Sequence, residues 1–295
     1  MIIGVLGPSG TYSDKAASLW IEKECNSISR DVSLKYCGDF IDTFDSIVNN
    51  EADIGIVPVE NSIEGSVGVT LDLLMEHEVQ IIGEVIVPIE HCLLSKGKIG
   101  DIRVILSHPQ ALGQCRQFIK SHFPHAEIRT TGSTSHAAKL ATEFEEMAAI
   151  ASRESASKYR LNVLLCNIQD CNNNHTRFIV FRKKHEADDL VWKNIDANTT
   201  EQADKTKLSL PHRTSIIVYL DRDRPGALYD LLGEFATRKI NLTRIESRPS
   251  KRILGDYLFY IDFAGNISDT IIKDALNNIL PKAGMMKVLG SYVMM

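Results

Sequence analysis

Residues 2–24 read IIGVLGPSGTYSDKAASLWIEKE, an apolar run followed by a glycine-containing turn and an amphipathic stretch. The β-branched run Ile2–Leu6 predicts a buried strand, and Ser13–Glu24 has the spacing of a helix. The same alternation continues through the first half of the chain, which is typical of parallel strands joined by helical crossovers. The sequence therefore predicts an α/β fold here. Further strands are predicted at Ile54–Val57, Gln80–Val87, Val104–Leu106 and Ala148–Ile150, and further helices at Thr43–Asn50, Thr70–Glu76, Ala111–His122 and His136–Phe144.

The last third of the chain has a different order of elements. Residues 185–212 are rich in Asp, Asn, Thr and Lys and predict a linker, because few of them could supply a core. Strands and helices then follow in the order βαββαβ, a ferredoxin-like arrangement. The predicted borders are 1–184, 185–212 and 213–295. The predicted elements are Thr214–Leu220, Gly226–Arg238, Leu242–Ser247, Asp256–Phe263, Asp269–Ile279 and Lys287–Val293.

Composition excludes several classes of protein. With 295 residues, 44% hydrophobic residues and a formal net charge of -5, the chain can form two ordinary globular domains and has no basic field for a nucleic acid. Because the N-terminus lacks the pattern of a signal peptide and no segment runs 18 apolar residues, we expect a cytoplasmic protein without membrane association. The six cysteines include no C-x-x-C pair, which predicts free, mostly buried thiols rather than a zinc or redox site.

Polar loops recur where predicted strands end. Each could bind a ligand at the carboxyl edge of the sheet, although helix capping alone would explain some of the serines. The glycines of the first loop do not fit a dinucleotide or nucleotide motif, and its free amides favour an anion. The loops are G-P-S-G-T-Y-S (7–13), P-V-E-N-S (58–62), S-H-P-Q (107–110) with Q-C (114–115), and S-T-S (133–135); a fifth, N-x-T-R-F (174–178), precedes the strand Ile179–Phe181.

These five motifs, in this order, resemble the prephenate dehydratase family. The downstream G-A-L (226–228) and E-S-R-P (246–249) resemble the ACT domain that accompanies this enzyme. The resemblance implies a two-lobed α/β catalytic domain like a type II periplasmic binding protein, with the substrate in its cleft, followed by a ferredoxin-like ACT domain. No chorismate mutase helices precede Met1, so the chain is similar to the monofunctional form.

The resemblance also implies the reaction and the residues that perform it. Prephenate would lose water and carbon dioxide to give phenylpyruvate without a metal or organic cofactor, and L-phenylalanine would bind the ACT domain of a homodimer or homotetramer. Thr176 would hydrogen-bond the leaving hydroxyl group. The implied catalytic residues are Thr176, Glu60, Asn61, Ser107 and Gln114; those binding substrate are Ser9, Thr11, Ser133, Thr134, Asn174, Arg177 and Phe178; those binding the regulatory ligand are Gly226, Ala227, Leu228, Glu246, Ser247, Arg248 and Pro249.

Several alternatives stay open at the level of sequence. His175 could donate a proton or be a solvated turn residue, and Arg177 could bind a substrate carboxylate or brace its loop. Gly132 occupies a position where members of the resembled family often have a polar residue. Tyr229 occupies a position where they often have a smaller aliphatic residue. An arogenate dehydratase would share nearly every motif, whereas a pure small-molecule binding protein would have no need of T-R-F.

Overall fold

The computed structural model of this chain describes residues 1–25, 31–185, 211–220, 224–251 and 255–294. Most of the predicted linker, residues 186–210, lies outside the described residues. The helices are α1 (Tyr12–Cys25), α2 (Phe40–Val48), α3 (Gly68–Glu76), α4 (Pro109–Gln114), α5 (Arg116–His122), α6 (Thr134–Leu140), α7 (Arg153–Tyr159), α8 (Ala227–Thr237) and α9 (Thr270–Ile279).

The strands are β1 (Ile2–Leu6), β2 (Ser33–Cys37), β3 (Ile54–Asn61), β4 (Gly65–Ser66), β5 (Val79–Pro88), β6 (Cys92–Ser95), β7 (Val104–Ser107), β8 (Glu127–Thr130), β9 (Met147–Ala151), β10 (Asn162–Cys166), β11 (His175–Lys183), β12 (His212–Tyr219), β13 (Leu242–Pro249), β14 (Tyr257–Ala264) and β15 (Met285–Val293). Short 3₁₀ helices cover Ile99–Asp101 and Leu280–Lys282.

The strands form three sheets. The first has the order β2-β1-β3-β11-β5 with β4 paired to β3, the second β10-β6-β9-β7-β8, and the third β13-β14-β12-β15. The predicted parallel pairing is confirmed between β1 and β2 and between β7 and its neighbours β8 and β9. Strands β6 and β10, which the sequence did not predict, add antiparallel pairs, because β6 runs antiparallel to both β9 and β10. The mixed α/β class itself is confirmed.

Both faces of the second sheet are buried at its central strands β6, β7 and β9, which are almost continuously apolar. Alternate residues of β9 point to opposite faces, so Ala149 packs with Ala137 and Ala138 of α6 while Ile150 packs with Ala111 and Ile119 on the other side. The predicted single helix Ala111–His122 is interrupted at Cys115, which ends α4 with φ −115° and ψ 19° and precedes α5.

The cysteines require a correction. Cys92 and Cys166 lie directly opposite each other on the antiparallel strands β6 and β10, with their Cα atoms 4.1 Å apart, and form a disulfide. The prediction of free thiols is therefore wrong for this pair, since sequence spacing cannot reveal a pairing across 74 residues. Cys37 and Cys115 are buried free thiols, and Cys171 is an exposed one. Burial raises the pKa of the Cys115 thiol to about 12.

The third sheet confirms the predicted βαββαβ order. Its strands are antiparallel, and β12 is central between β14 and β15. The helices α8 and α9 cover one face, where Leu231, Phe235, Ile272 and Leu276 pack on the apolar side of the sheet, including Ile216.

The contacts within the chain divide it into two compact units. The first comprises residues 1–43, 56–65 and 85–178, and the second comprises residues 44–55, 66–84 and 179–295. Strands β3 and β11 each pass from one unit to the other along the chain. No helix within the described ranges has both the length and the apolar character needed to cross a bilayer.

Candidate functional site

The first loop, between β1 and α1, is organised by Asp14. Its carboxylate accepts hydrogen bonds from the Gly10 backbone N–H at 2.8 Å and from the Ser9 hydroxyl at 3.2 Å. Thr11 donates to the Leu6 carbonyl at 3.4 Å and accepts from the Asp14 N–H at 3.4 Å. Ser9 and Thr11 therefore hold the loop in shape. Binding of a substrate anion by this loop stays a prediction.

Side chains near the second sheet hold the same loop. The Ser9 carbonyl accepts from the Ser135 hydroxyl at 3.0 Å and from Lys158 Nζ, and the Gly10 carbonyl accepts from the Ser155 hydroxyl at 3.1 Å. Gly10 has φ +84°, a left-handed conformation that favours glycine. Ser133 accepts the His136 N–H at 3.0 Å and so caps α6, where Thr134 is the first residue.

Four of the predicted site residues lie together and form a continuous set of hydrogen bonds. We call Asn61, Gln114, Asn174 and Thr176 the polar relay. Asn61 Nδ2 lies 2.7 Å from Asn174 Oδ1 and 2.9 Å from Thr176 Oγ1, and Asn174 Nδ2 lies 3.0 Å from Gln114 Oε1. Asn61, Asn174 and Thr176 are 7%, 1% and 9% exposed, so these polar groups depend on one another.

Backbone donors fix the direction of these bonds. Asn61 Oδ1 accepts the N–H groups of Ile63 and Glu64, each at 3.0 Å, and so its amide nitrogen must face the relay. Asn61 therefore donates to Thr176 Oγ1. The threonine hydroxyl uses a lone pair in this bond, which leaves its own proton to be donated elsewhere. This polarity suits a group that must donate to a departing hydroxyl.

Charged residues flank the relay on β3 and β11. Arg177 is 8% exposed and lies 3.2 Å from the carboxylate of Glu60, whose side chain is 39% exposed. This contact is the bracing role considered for Arg177, and a contact with a substrate carboxylate stays a prediction. His175 is exposed, and its backbone N–H donates to the Ser62 hydroxyl at 2.9 Å.

Ser107 and Phe178 also lie outside this hydrogen-bonded set. Ser107, at the end of β7, is fully buried and donates to the Ile150 carbonyl at 2.6 Å. Phe178 is 2% exposed within β11. Their contacts in this structure are those of core residues, and the proposed roles toward substrate stay predictions.

Sequence reasoning missed three residues that support the relay. His91 is 2% exposed, and its Nε2 lies 2.9 Å from Gln114 Oε1. Gln114 Nε2 donates to Glu64 Oε1 at 3.3 Å, and Tyr12 donates to the Glu90 carbonyl at 2.6 Å beside the His91 ring. Burial raises the pKa of Tyr12 well above its ordinary value and lowers the pKa of His91. The available signal was a histidine directly before the apolar run Cys92–Leu94.

The predicted regulatory residues lie in the second unit. Gly226 has φ +84° at the start of α8 and, with Ala227 and Leu228, lines a cavity of about 330 Å³ whose wall includes Tyr257. Tyr229 also lines this cavity and is 79% exposed.

The residues of the other regulatory motif lie on β13, among them Ser247, which is exposed. Glu246 accepts from the Ser66 hydroxyl at 3.0 Å, and Arg248 forms an ion pair with Asp72 of α3 at 3.0 Å. Pro249 lines a separate cavity of about 220 Å³.

Comparison with known families now identifies the chain. The model of the family described as prephenate dehydratase matches residues 3–186, and that of the ACT domain matches residues 214–281. The chain belongs to the prephenate dehydratase family. This family consists of decarboxylating dehydratases, which are lyases, and the match confirms the resemblance read from the motifs. The predicted domain borders stay a prediction.

Relatives resemble the chain over nearly its whole length. A protein of Methanocaldococcus jannaschii named prephenate dehydratase is 41% identical over 97% of this chain and 95% of its own length. A solved structure titled prephenate dehydratase in complex with L-Phe, from Arthrobacter aurescens, is 32% identical, covers 99% of this chain and 90% of that chain, and has a TM-score of 0.81.

A third relative has the same fold but a different name. A solved structure titled GqqA, a novel type of quorum quenching acylase, is 26% identical, covers 100% of this chain and 98% of that chain, and has a TM-score of 0.80. Since one fold hosts different chemistries, the residues of the site determine which reaction this chain can perform.

Proposed function

We propose that this chain converts prephenate to phenylpyruvate, water and carbon dioxide. The ring carboxylate leaves as carbon dioxide, its bonding electrons enter the ring, and the ring hydroxyl departs as water after taking up a proton. One proton is consumed for each prephenate dianion, and aromatisation drives the reaction. Family membership and the relatives named prephenate dehydratase support this proposal.

The observation that carries the proposal is the direction of the bond between Asn61 and Thr176. Because Thr176 Oγ1 accepts from Asn61 Nδ2 at 2.9 Å, its own proton is available to the leaving oxygen. A threonine hydroxyl is too weak an acid to transfer its proton outright at neutral pH, so its role is a strong hydrogen bond. The candidates for the proton donor are Glu60, His175 and solvent. Glu60→Gln distinguishes them, because loss of the pH dependence of kcat in this variant would identify Glu60 as the donor.

The polar loops of the first unit would hold the substrate. Ser9, Thr11, Ser133 and Thr134 would bind its carboxylates together with Arg177, and Ser107 and Phe178 would act through the shape of the site. A metal or organic cofactor is not part of the proposal, and undiminished kcat after exhaustive chelation is the expected result. A requirement for a divalent cation would contradict this expectation.

We further propose that L-phenylalanine binds the ACT domain and inhibits the enzyme, in a cytoplasmic homodimer or homotetramer. The ACT match and the solved relative with L-Phe support this regulation. Gly226 offers its backbone N–H group to an amino-acid carboxylate without obstruction from a side chain, whereas the Ala227 N–H donates to the Arg224 carbonyl at 3.1 Å. Gel filtration with light scattering measures the oligomeric state.

One assay tests the reaction and its main alternative. Purified protein is incubated separately with prephenate and with arogenate, and formation of phenylpyruvate and of phenylalanine is followed. We expect a much higher kcat/KM for prephenate. A preference for arogenate would identify an arogenate dehydratase, and binding without turnover of either compound would identify a binding protein.

A further inference from the structure

His91 occupies a buried position next to the polar relay that no motif assigns. It directly precedes β6, and neighbours from three separate segments hold it. Its backbone N–H donates to Gln169 Oε1 at 3.0 Å, and its carbonyl accepts the Ile168 N–H at 3.1 Å. The ring of Tyr12 stands edge-on to the imidazole with the centroids 6.1 Å apart. The imidazole is thus fixed in place with Nε2 directed at Gln114 Oε1, 2.9 Å away.

The tautomer of His91 follows from hydrogen-bond polarity along the relay. The backbone N–H groups of Ile63 and Glu64 can only donate, so Asn61 presents its nitrogen to Asn174 Oδ1. Asn174 must then present Nδ2 to Gln114, whose Oε1 therefore faces both Asn174 and His91. Because a carbonyl oxygen only accepts, the His91 proton has to be on Nε2.

The other end of the relay gives the same result independently. Gln114 Nε2 lies 3.3 Å from Glu64 Oε1, and a carboxylate oxygen accepts from an amide nitrogen. This contact also places Gln114 Oε1 toward His91. The contact at the other ring nitrogen is longer: Tyr12 Oη, which donates to the Glu90 carbonyl at 2.6 Å, lies 3.4 Å from Nδ1. Burial lowers the pKa of His91, which favours the neutral ring, and the single proton belongs on Nε2, where the acceptor is 2.9 Å away.

We propose that His91, with its proton on Nε2, is a positioning residue that holds Gln114 and Asn174 in the orientation that directs the Thr176 proton to the substrate. This inference rests on the proposed dehydratase activity. Without the His91 donor, Gln114 loses one of the hydrogen bonds that hold its Oε1 toward Asn174. If both amides turned over, Asn174 would present a nitrogen to Asn61 Nδ2, and that donor-to-donor contact would loosen Asn61 from Thr176.

The test compares two substitutions at position 91 with a control. His91→Leu removes the donor, and we expect kcat for prephenate to fall about tenfold, the scale of one lost hydrogen bond, with KM changed less than about twofold. His91→Gln carries an amide N–H that can reach the place of Nε2, and we expect it to keep kcat within about threefold of the wild type. His125→Leu, at an exposed histidine, should leave kcat and KM unchanged.

A spectroscopic measurement tests the tautomer without any turnover. Protein with ¹⁵N-labelled histidine should give one imidazole, absent from the His91→Gln spectrum, with its proton on Nε2 at pH 7. A proton on Nδ1, a charged ring at that pH, or equal tenfold losses of kcat in the Leu and Gln variants would overturn the proposal. If His91→Leu fails to fold, the Gln variant and the wild-type spectrum still decide. A wild type inactive on prephenate would contradict the dehydratase function, whereas the spectrum would still test the hydrogen-bond geometry.

Discussion

Thr176 is the residue on which the proposed chemistry depends most. Replacing it by alanine removes the hydroxyl that Asn61 Nδ2 orients, so we expect Thr176→Ala to lower kcat by about 10²-fold or more, as is typical of a lost transition-state donor. Thr176→Ser keeps the hydroxyl and should retain far more activity. Steady-state kinetics with circular dichroism as the folding control measure both. Near-normal kcat in a folded alanine variant would remove Thr176 from the mechanism.

Asn61 provides a separate test of the direction of the relay. In Asn61→Asp an ionised carboxylate can still accept the Ile63 and Glu64 N–H groups but cannot donate to Thr176 or Asn174. The Thr176 proton would then turn to the new carboxylate at position 61 instead of the substrate. We therefore expect kcat to fall by about 10²-fold, close to the loss in Thr176→Ala.

The double variant Asn61→Asp with Thr176→Ala controls this prediction. It should lose little more activity than either single variant, because residues acting as one unit are not additive. Two independent losses that multiply would show that Asn61 acts on the reaction without Thr176.

Sequence motifs predicted all four residues of the polar relay but not the residues that support it. Asn61, Gln114, Asn174 and Thr176 belong to three of the recognised motifs, and the structure brings them together. His91 was missed because its role depends on an imidazole buried by Tyr12 and Gln169, which are distant in sequence. The functions of Ser107 and Ser133 were ambiguous for the opposite reason, since capping and backbone hydrogen bonds use the same hydroxyls.

At the level of elements, apolar patterns gave the long strands and helices but not the edges of the sheets. Exposed strand β8 and the half-exposed β2 bury too little apolar surface to leave a pattern in the sequence. The antiparallel direction of β6 could not be predicted from the sequence either. Its partners β9 and β10 are distant in the chain, and the sequence contains no hairpin signal there.

Strand β15 makes a close backbone approach that gives a prediction at this scale. A Cβ added at Gly290 would lie 2.1 Å from the carbonyl oxygen of Ile81 on β5, and backbone atoms cannot give way as a flexible side chain can. We expect Gly290→Ala to lower the free energy of unfolding by about 3 kcal/mol or more, as for severe overpacking. Urea denaturation measures the change.

Gly233, in the interior of α8, offers a matched control. No atom lies within 4 Å of a Cβ added there, so Gly233→Ala should increase the free energy of unfolding by about 0.5–1 kcal/mol through helix propensity. Similar effects from the two substitutions would mean that β15 does not approach β5 so closely.

At the scale of the whole molecule, the division into compact units differs from the predicted domain borders. Residues 66–84, which belong to the matched dehydratase segment, group with residues 179–295. Arg213 on β12 forms an ion pair at 2.5 Å with Glu84 on β5, whose side chain is 1% exposed. A protein cut after Arg182 would leave Glu84 without this partner, and removal of one member of a buried pair costs about 3–5 kcal/mol. A point substitution is therefore a cleaner test of regulation than a truncation.

A cluster of polar contacts in the second unit connects β13 to the segment that follows the Asn61 loop. Arg244 donates to the Ser66 hydroxyl at 2.8 Å, and Arg248 donates to both oxygens of Asp72 at 3.0 Å. Lys251 lies 3.0 Å from the same carboxylate. Burial alone would raise the pKa of Asp72, but the hydrogen bonds from Lys251 and Arg248 more than offset it, and the pKa is lowered. The carboxylate is therefore charged at neutral pH, and the contact is electrostatic.

This cluster predicts how a ligand on the ACT domain could influence catalysis. Ser66 lies five positions after Asn61 in the chain, so a shift of β13 would be passed to the relay through a short segment. Asp72→Asn removes the negative charge that pairs with Arg248. We expect L-phenylalanine to bind the variant with little change in affinity. The concentration of L-phenylalanine for half-inhibition should rise about fivefold or more, because fivefold is the lower end of typical allosteric coupling. Isothermal titration calorimetry measures the binding, and the prephenate assay measures the inhibition.

Asp274→Asn is the matched control for this prediction. Asp274, on α9 of the same domain, forms an ion pair with Arg238 at 2.7 Å, and loss of this pair should leave inhibition unchanged. If Asp72→Asn is inhibited as strongly as the wild type, the contact between β13 and α3 does not transmit the signal; if binding is lost with inhibition, Asp72 shapes the ligand site instead.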